Sequence, residues 1–269
     1  MLAYKTTMKG GLPIMAQTVF NRVEKKYQLS EERFEALWTD LMEYMEVDEF
    51  GKHTISNIYY DTPDDLLIRR SIDKPAYKEK LRLRSYGSPT LDDMVFLEIK
   101  KKYDGIVNKR RIQLPLHAAY NYLNLRIKPF FQTQILSELD YFLSQYDLSP
   151  KLFLAYERIA LFGKEDPEFR VTFDMNIRSR TDDLRLENGS RGALLFTDNT
   201  HLMEVKITNS TPLWFSKLLS KHQLYNSSFS KYGNVYKNQQ LQKDRQHIIF
   251  DITAQNTTQD ASQMEALAG

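Results

Sequence analysis

Long stretches of the chain alternate between apolar and charged residues. In 77–86 the even positions are Lys78, Lys80, Arg82 and Arg84, with Leu81 and Leu83 between them. In 94–102 Glu98, Lys100 and Lys102 alternate with Val95, Leu97 and Ile99, and in 107–114 Lys109 and Arg111 oppose Ile112 and Leu114. The pattern returns at 170–178, where Arg170, Thr172, Asp174, Asn176 and Arg178 alternate with Val171, Phe173, Met175 and Ile177. Glu204 and Lys206 oppose Met203, Val205 and Ile207; Tyr156 and Arg158 share a parity, as do Arg22, Glu24 and Lys26. A period of two sends successive side chains to opposite faces, so each stretch reads as a strand with one apolar and one ionic face. Strands are predicted over about 20–28, 53–60, 76–86, 94–103, 106–114, 151–162, 169–178 and 201–208.

Helical periods are fewer. Ser30 is an N-cap, and Leu29 with Phe34 has the spacing of a hydrophobic staple. Phe34, Leu37, Trp38, Leu41, Met42 and Met45 then share one face. A second helix is predicted from about Gln132 to Gln145, with Ile135, Leu139, Phe142 and Leu143 as its stripe. A third starts near Pro212, a residue favoured at the first helical position, and carries Leu213, Leu218 and Leu219. Residues 1–17 have no period and contain Gly10, Gly11 and Pro13, so they read as a flexible leader. Residues 251–269 are polar and small and read as a loose tail. No linker or repeat interrupts 18–250, which reads as a single domain.

One strand with a charged face is an ordinary sheet surface, wetted on one side. The set differs in two ways. Arg stands where Lys, Thr or Glu would serve, and a guanidinium suits multidentate recognition of anions. The acids on these faces are few. Closing the strands into an antiparallel barrel turns the ionic faces inward, and about eight strands leave room for one slender ligand. The amphipathic helices then cover the apolar outside. The expectation is an α+β fold: a closed antiparallel barrel of about eight strands around a basic tunnel. Crowded cations repel one another unless a polyanion joins them.

Bulk composition narrows the chemistry. With 42% hydrophobic residues the chain can bury a sizeable core. Lys and Arg number 37 against 35 Asp and Glu, a net charge of +2, so only charge placement can point to an anion. The absence of cysteine excludes disulfides, thiolate zinc sites and a Cys nucleophile. No apolar run approaches the ~18–20 residues of a membrane span, and the start has no signal-peptide core, so a cytoplasmic protein is expected. The chain contains no P-loop, no dinucleotide fingerprint and no G-x-S-x-G elbow. His53, His117, His201, His222 and His247 lack metal-ligand spacing. The cations follow strand parity, not one exposed helix, which argues against nucleic acid as a partner.

Nine strings, in order, carry a family resemblance: FNRVEKKY at 20–27, SNIYYDTPD at 56–64, YKEKLRLRSYG at 77–87, FLEIKKK at 96–102, VNKRR at 107–111, YERIA at 156–160, RVTFDMNIRSR at 170–180, LMEVKI at 202–207 and SFSKY at 228–232. In order and in strand parity they resemble the VTC domain of the triphosphate tunnel metalloenzymes, over roughly 20–237. The resemblance implies a barrel with a basic tunnel that makes inorganic polyphosphate. In that activity the γ-phosphoryl group of ATP passes to a growing phosphate chain with a divalent metal, often Mn²⁺ (or Mg²⁺). By position it implies catalytic roles for Lys26, Arg82, Arg84, Lys100, Arg158 and Arg170. Lys109, Lys231 and Ser230 would contact substrate, and Tyr156 either stacks on the base or packs. The metal-binding glutamate falls on Glu204, with Glu24 and Glu98 as weaker candidates or internal salt-bridge partners.

Two departures from the pattern matter. Hydrolytic relatives of the CYTH type carry E-x-E-x-K near the start, where this chain has Arg22, Glu24 and Lys26, which favours the polymerase branch. Eukaryotic VTC polymerases tend to place a Lys where this chain has Ser228. The chain also lacks their SPX domain and membrane helices, so it resembles a stand-alone bacterial catalytic domain, with a membrane-bound partner possible. The leading expectation is a polyphosphate polymerase using ATP and polyphosphate. A tripolyphosphate or nucleoside triphosphate hydrolase and a non-catalytic polyphosphate sensor are the alternatives.

Overall fold

The computed structural model describes residues 23–246 other than 74, 105, 208 and 209. The leader, the tail, Arg22 and His247 lie outside the described residues. The strands are β1 (Val23–Leu29), β2 (Met45–Val47), β3 (His53–Asp61), β4 (Tyr77–Tyr86), β5 (Met94–Tyr103), β6 (Ile106–Pro115), β7 (Ser149–Gly163), β8 (Arg170–Arg180), β9 (Ala193–Leu194) and β10 (His201–Ile207). The helices are α1 (Glu31–Leu41), α2 (Leu66–Ile72), α3 (Leu116–Leu125), α4 (Gln134–Gln145), α5 (Leu213–Lys221) and α6 (231–246).

All ten strands join one antiparallel sheet along the path β1-β10-β8-β7-β3-β4-β5-β6, with β2 and β9 beside β7 and β8. Eight of these strands match the alternating stretches. The expected closed barrel is not formed by the ladder: among the described residues no pairing joins β6 to β1. The sheet curls instead. Lys100 of β5 reaches Glu24 of β1 at 3.3 Å, so side chains bridge where backbone does not. Residues 226 and 227 occupy the free edge of β1. The Ser227 N–H donates to the Lys26 carbonyl at 2.7 Å, and the Lys26 N–H donates to Asn226 Oδ1 at 3.1 Å. That contact satisfies groups which a closing strand would otherwise take.

The apolar outer faces are covered as amphipathicity requires. Leu81, Leu83, Val95, Leu97, Ile99, Ile112 and Leu114 pack under α3 and α4. Tyr27, Leu29, Val171, Phe173, Met203 and Val205 pack under α1 and α5. Ser30 caps α1 by accepting from the Arg33 N–H, and Thr133 caps α4 by accepting from the Leu136 N–H.

One predicted face needs correction. Opposite β7 the register of β8 shifts between Ala155 and Glu157, and Asn176 adopts a left-handed φ of 51°. This bulge inserts one residue and reverses the parity beyond it. Ile177 therefore turns to the inside, while Arg178 leaves the cationic face and donates to the Gly192 carbonyl.

A third cluster lies on the inner face itself. Ile55, Tyr59, Leu152, Leu154, Ile177 and Leu202 pack against Phe229, just before α6, and Tyr232 and Val235 in its first turns. Asp61 anchors that helix. Fully buried, it accepts the N–H groups of Leu67 and Ile68 and the Tyr232 hydroxyl at 3.2 Å. Part of the interior is thus filled by the chain's own C-terminal segment, which brings Ser230 and Lys231 to the charged strands.

Candidate functional site: a basic interior

Adjacent strands present their inward positions side by side, and the charged residues gather around two buried acids. Glu98 on β5 is 1% exposed. It accepts from Arg82 Nε at 2.7 Å, pairs with Lys109 at 2.7 Å and lies 3.9 Å from Arg84. Burial would raise its pKa, but Arg82, Arg84 and Lys109 outweigh burial and hold it well below the ordinary carboxylate range. Asp174 on β8, fully buried, accepts both arms of Arg158, at 2.6 and 2.8 Å, and the Lys231 ammonium. Burial again opposes ionisation, and Arg158 with Lys231 overcomes it. Each acid works as an internal counter-ion that aims cations. The contacts of Glu98 are those of a salt-bridge centre, with Oε2 against Arg82 and Oε1 against Lys109.

Asn57 and Tyr156 hold Arg84, their oxygens accepting from its Nε at 2.9 Å and its Nη2 at 3.1 Å. Tyr156 is buried, with Lys231 at 4.6 Å and Arg158 at 5.3 Å from its ring centre. With 4% of its surface exposed, the ring sits in a packed setting between these cations. Arg82 also donates to the Tyr59 hydroxyl at 3.3 Å.

Around Glu204 the packing is looser. Its oxygens lie 3.7 Å from Lys26 and 4.0 Å from Lys206, too far for hydrogen bonds. Lys26 spends its ammonium on the Phe229 carbonyl at 2.9 Å. Burial pushes the Glu204 carboxyl up, yet Lys26, Lys206, Lys231 and Arg158 bring it down, so it is ionised. An ionised carboxylate with free lone pairs, beside cations that would bring phosphate oxygens, fits a hard divalent ion. Such ions take one or two carboxylates and complete their shell with phosphate and water. Glu24, paired with Lys100, is the neighbouring acid. Among the described residues no three acids or histidines gather into a ready-made metal cluster.

Lys80, not among the assigned site residues, has no carboxylate partner in the described contacts. Its ammonium donates to Ser230 Oγ at 3.3 Å. Burial lowers its pKa to about 8, and burial likewise lowers Lys109 to about 8 against the pull of Glu98. Arg170 stays apart: it is exposed, opposite Lys206 in register, and joins neither acid. Sequence parity singled out Lys80, Lys206 and Asp174 as face residues without giving them roles. Asn57 and Tyr59 gave no such signal, because β3 is buried on both faces from Ile55 to Asp61.

A basic interior in a curled antiparallel sheet finds its kin by comparison. The chain matches the VTC domain over residues 21–239 and belongs to that family. Its fold is similar to that of a putative adenylate cyclase from Bacillus halodurans (TM-score 0.53, 16% identity, 80% of this chain and 96% of that one). It is also similar to a putative adenylyl cyclase from Hippeastrum, described as having a dominant triphosphatase activity (TM-score 0.50, 15% identity, 81% of this chain and 96% of that one). At these identities the likeness is one of fold. No curated protein matches the sequence.

Proposed function

We propose that this protein is a polyphosphate polymerase that transfers the γ-phosphoryl group of ATP to the end of an inorganic polyphosphate chain on its basic inner face. The observation that supports this most is the imbalance of charge inside. Lys26, Lys80, Arg82, Arg84, Lys100, Lys109, Arg158, Lys206 and Lys231 converge there, against Glu24, Glu98, Asp174 and Glu204. The surplus asks for a ligand that is anionic along its length. Phosphoryl transfer needs positioning and charge neutralisation more than covalent help. Arg82 and Arg84, locked by Glu98, Asn57 and Tyr156, present fixed donors to nonbridging oxygens, and Arg158 and Lys231 do so from the opposite wall. In the transfer, the bond between the γ-phosphorus and the β-phosphate oxygen breaks. A bond from that phosphorus to the terminal oxygen of the chain forms, and ADP leaves.

Glu204 is the residue we assign to a divalent ion, Mn²⁺ or Mg²⁺, which when bound would neutralise charge developing on the phosphoryl oxygens. The test is incubation of pure protein with ATP and Mn²⁺, with products resolved by length. A ladder of long chains supports the polymerase. ADP and orthophosphate alone would replace it with a triphosphatase, and tight binding without turnover in any metal would replace it with a sensor. Among the described residues no helix is long and apolar enough to cross a membrane.

A further inference from the structure

Beyond the cations, the inner face carries a row of rings that the phosphate chemistry does not use. His53, Tyr86 and Phe96 all stand at inward positions: His53 lies opposite Arg158, Tyr86 opposite Ile55, and Phe96 opposite Arg84. With Phe50 they form a continuous series. Ring centres are 6.3 Å apart from Phe50 to His53, 5.9 Å from His53 to Tyr86 and 5.8 Å from Tyr86 to Phe96. The Arg111 guanidinium lies 4.6 Å from the centre of Phe96 and has no carboxylate partner among the described contacts. Phe50 is 53% exposed and Tyr86 52%. Rings that pack a core do not leave half their surface in water, and rings scattered over a surface do not line up beside arginines.

We propose that the row Phe50, His53, Tyr86 and Phe96, with Arg111, seats the base of a nucleoside triphosphate whose phosphates lie on the adjoining cations. The inference deepens, and rests on, the anion-binding reading of the interior. Spacing favours it. Tyr86 follows Arg84 by one inward position on β4, and Phe96 precedes Glu98 by one on β5, a separation of about 7 Å along a strand. A ribose and an α-phosphate bridge that gap. Arg111, uncommitted to an acid, stands between ring and phosphates and can serve either. Tyr156, read from sequence as either stacking on the base or packing, is 4% exposed, so this row is the more open one.

The test compares two ligands on the same protein by calorimetry without added divalent metal, so that nothing turns over. ATP carries the base; tripolyphosphate carries only the phosphates. In Tyr86→Ala and Phe96→Leu the affinity for ATP should fall about 5- to 150-fold, the range for losing one base–aromatic stack. The affinity for tripolyphosphate should stay within about twofold by the same reasoning, since no phosphate contact is touched. Retained tripolyphosphate binding also certifies that each variant is folded, and Phe96→Leu keeps an apolar group of similar volume. Unchanged ATP affinity overturns the assignment. So does an equal loss for both ligands, which would make the rings supports of the arginines. A wild-type protein that binds neither ligand would instead fail the reading of the interior, a separate and recognisable result.

Discussion

Glu98→Gln separates a site built for an absent anion from one that merely tolerates charge. The substitution keeps shape and removes the counter-ion of Arg82, Arg84 and Lys109. Breaking a buried ion pair from one side costs about 3–5 kcal/mol. Here the partners are only partly enclosed, Arg82 at 20% and Lys109 at 39% exposure, so solvent screening cuts the cost to about 2–3 kcal/mol. For a domain of this size that lowers the apo Tm by about 4–12 °C. Tripolyphosphate brings the missing negative charge, so the variant should bind it more tightly and gain a larger stabilising shift than wild type at equal ligand concentration. Scanning calorimetry with and without tripolyphosphate reads both. The sign of the pH effect is also fixed. The Glu98 pKa is depressed in the folded protein, so its contribution is complete above the ordinary value of 4.5 and is lost as pH falls toward the folded value. The gap between wild type and variant should therefore narrow in acid. A variant that melts within about 2 °C of wild type at neutral pH, or gains no more from the ligand, refutes the counter-ion argument.

Lys80→Ala removes a half-buried cation that no acid among the described residues pairs with, so apo Tm should hold or rise while tripolyphosphate affinity, read by calorimetry, drops about tenfold. Because Lys80 and Lys109 sit at about 8 in the free protein, they are charged below that pH and neutral above it; ATP affinity should fall as pH rises through 8, and a flat profile up to about pH 9.5 would contradict their role. Arg84→Ala should cost turnover about 10²-fold or more in kcat. It should also cost about 1–3 kcal/mol of stability in denaturant titration, because Asn57 and Tyr156 lose their partner. Glu204→Gln should keep tripolyphosphate binding and lose the Mn²⁺-dependent gain in affinity; normal Mn²⁺ dependence would move the metal to Glu24.

The strands were legible because a period of two with ions on one side is a strong signal, and β4, β5, β8 and β10 lie where the alternation predicts them. On β3, buried on both faces, the signal marked the strand but not its inward residues, and it failed where a strand is too short to show a period. The two-residue β9 and three-residue β2 belong to the second case. The helix α3 was hidden because Leu116, Ala119, Tyr122 and Leu123 follow a strand without a polar break. The helix α6 was hidden for another reason. Its leading residues Lys231, Tyr232 and Val235 face the interior of the sheet, so its stripe mixes a cation with apolar groups.

The charged interior was legible in kind but not in arrangement. Alternation can say that Arg82, Glu98 and Lys109 share a face; only register says that Arg82 and Glu98 are cross-strand neighbours, and that Arg111 is the neighbour of Glu98 on the other side. The bulge at Asn176 shows the limit most clearly. One residue inserted into β8 reverses the parity of all that follow, so Arg178 leaves the interior and Ile177 enters it, although the string RVTFDMNIRSR alternates without a break. The bulge lies just beyond Asp174, where Arg158 and Lys231 are gathered. It ends the polar part of the β8 inner face at that acid and begins the apolar part that receives α6. Without it Asn176 and Arg178 would continue the ionic row into the space that Phe229, Tyr232 and Val235 fill, and Lys231 would have no firmly packed helix to hold it against Asp174. On β8 the boundary between the anion-facing and the helix-packing parts of the interior is therefore set by one backbone irregularity, which no count of charges along the sequence could reveal.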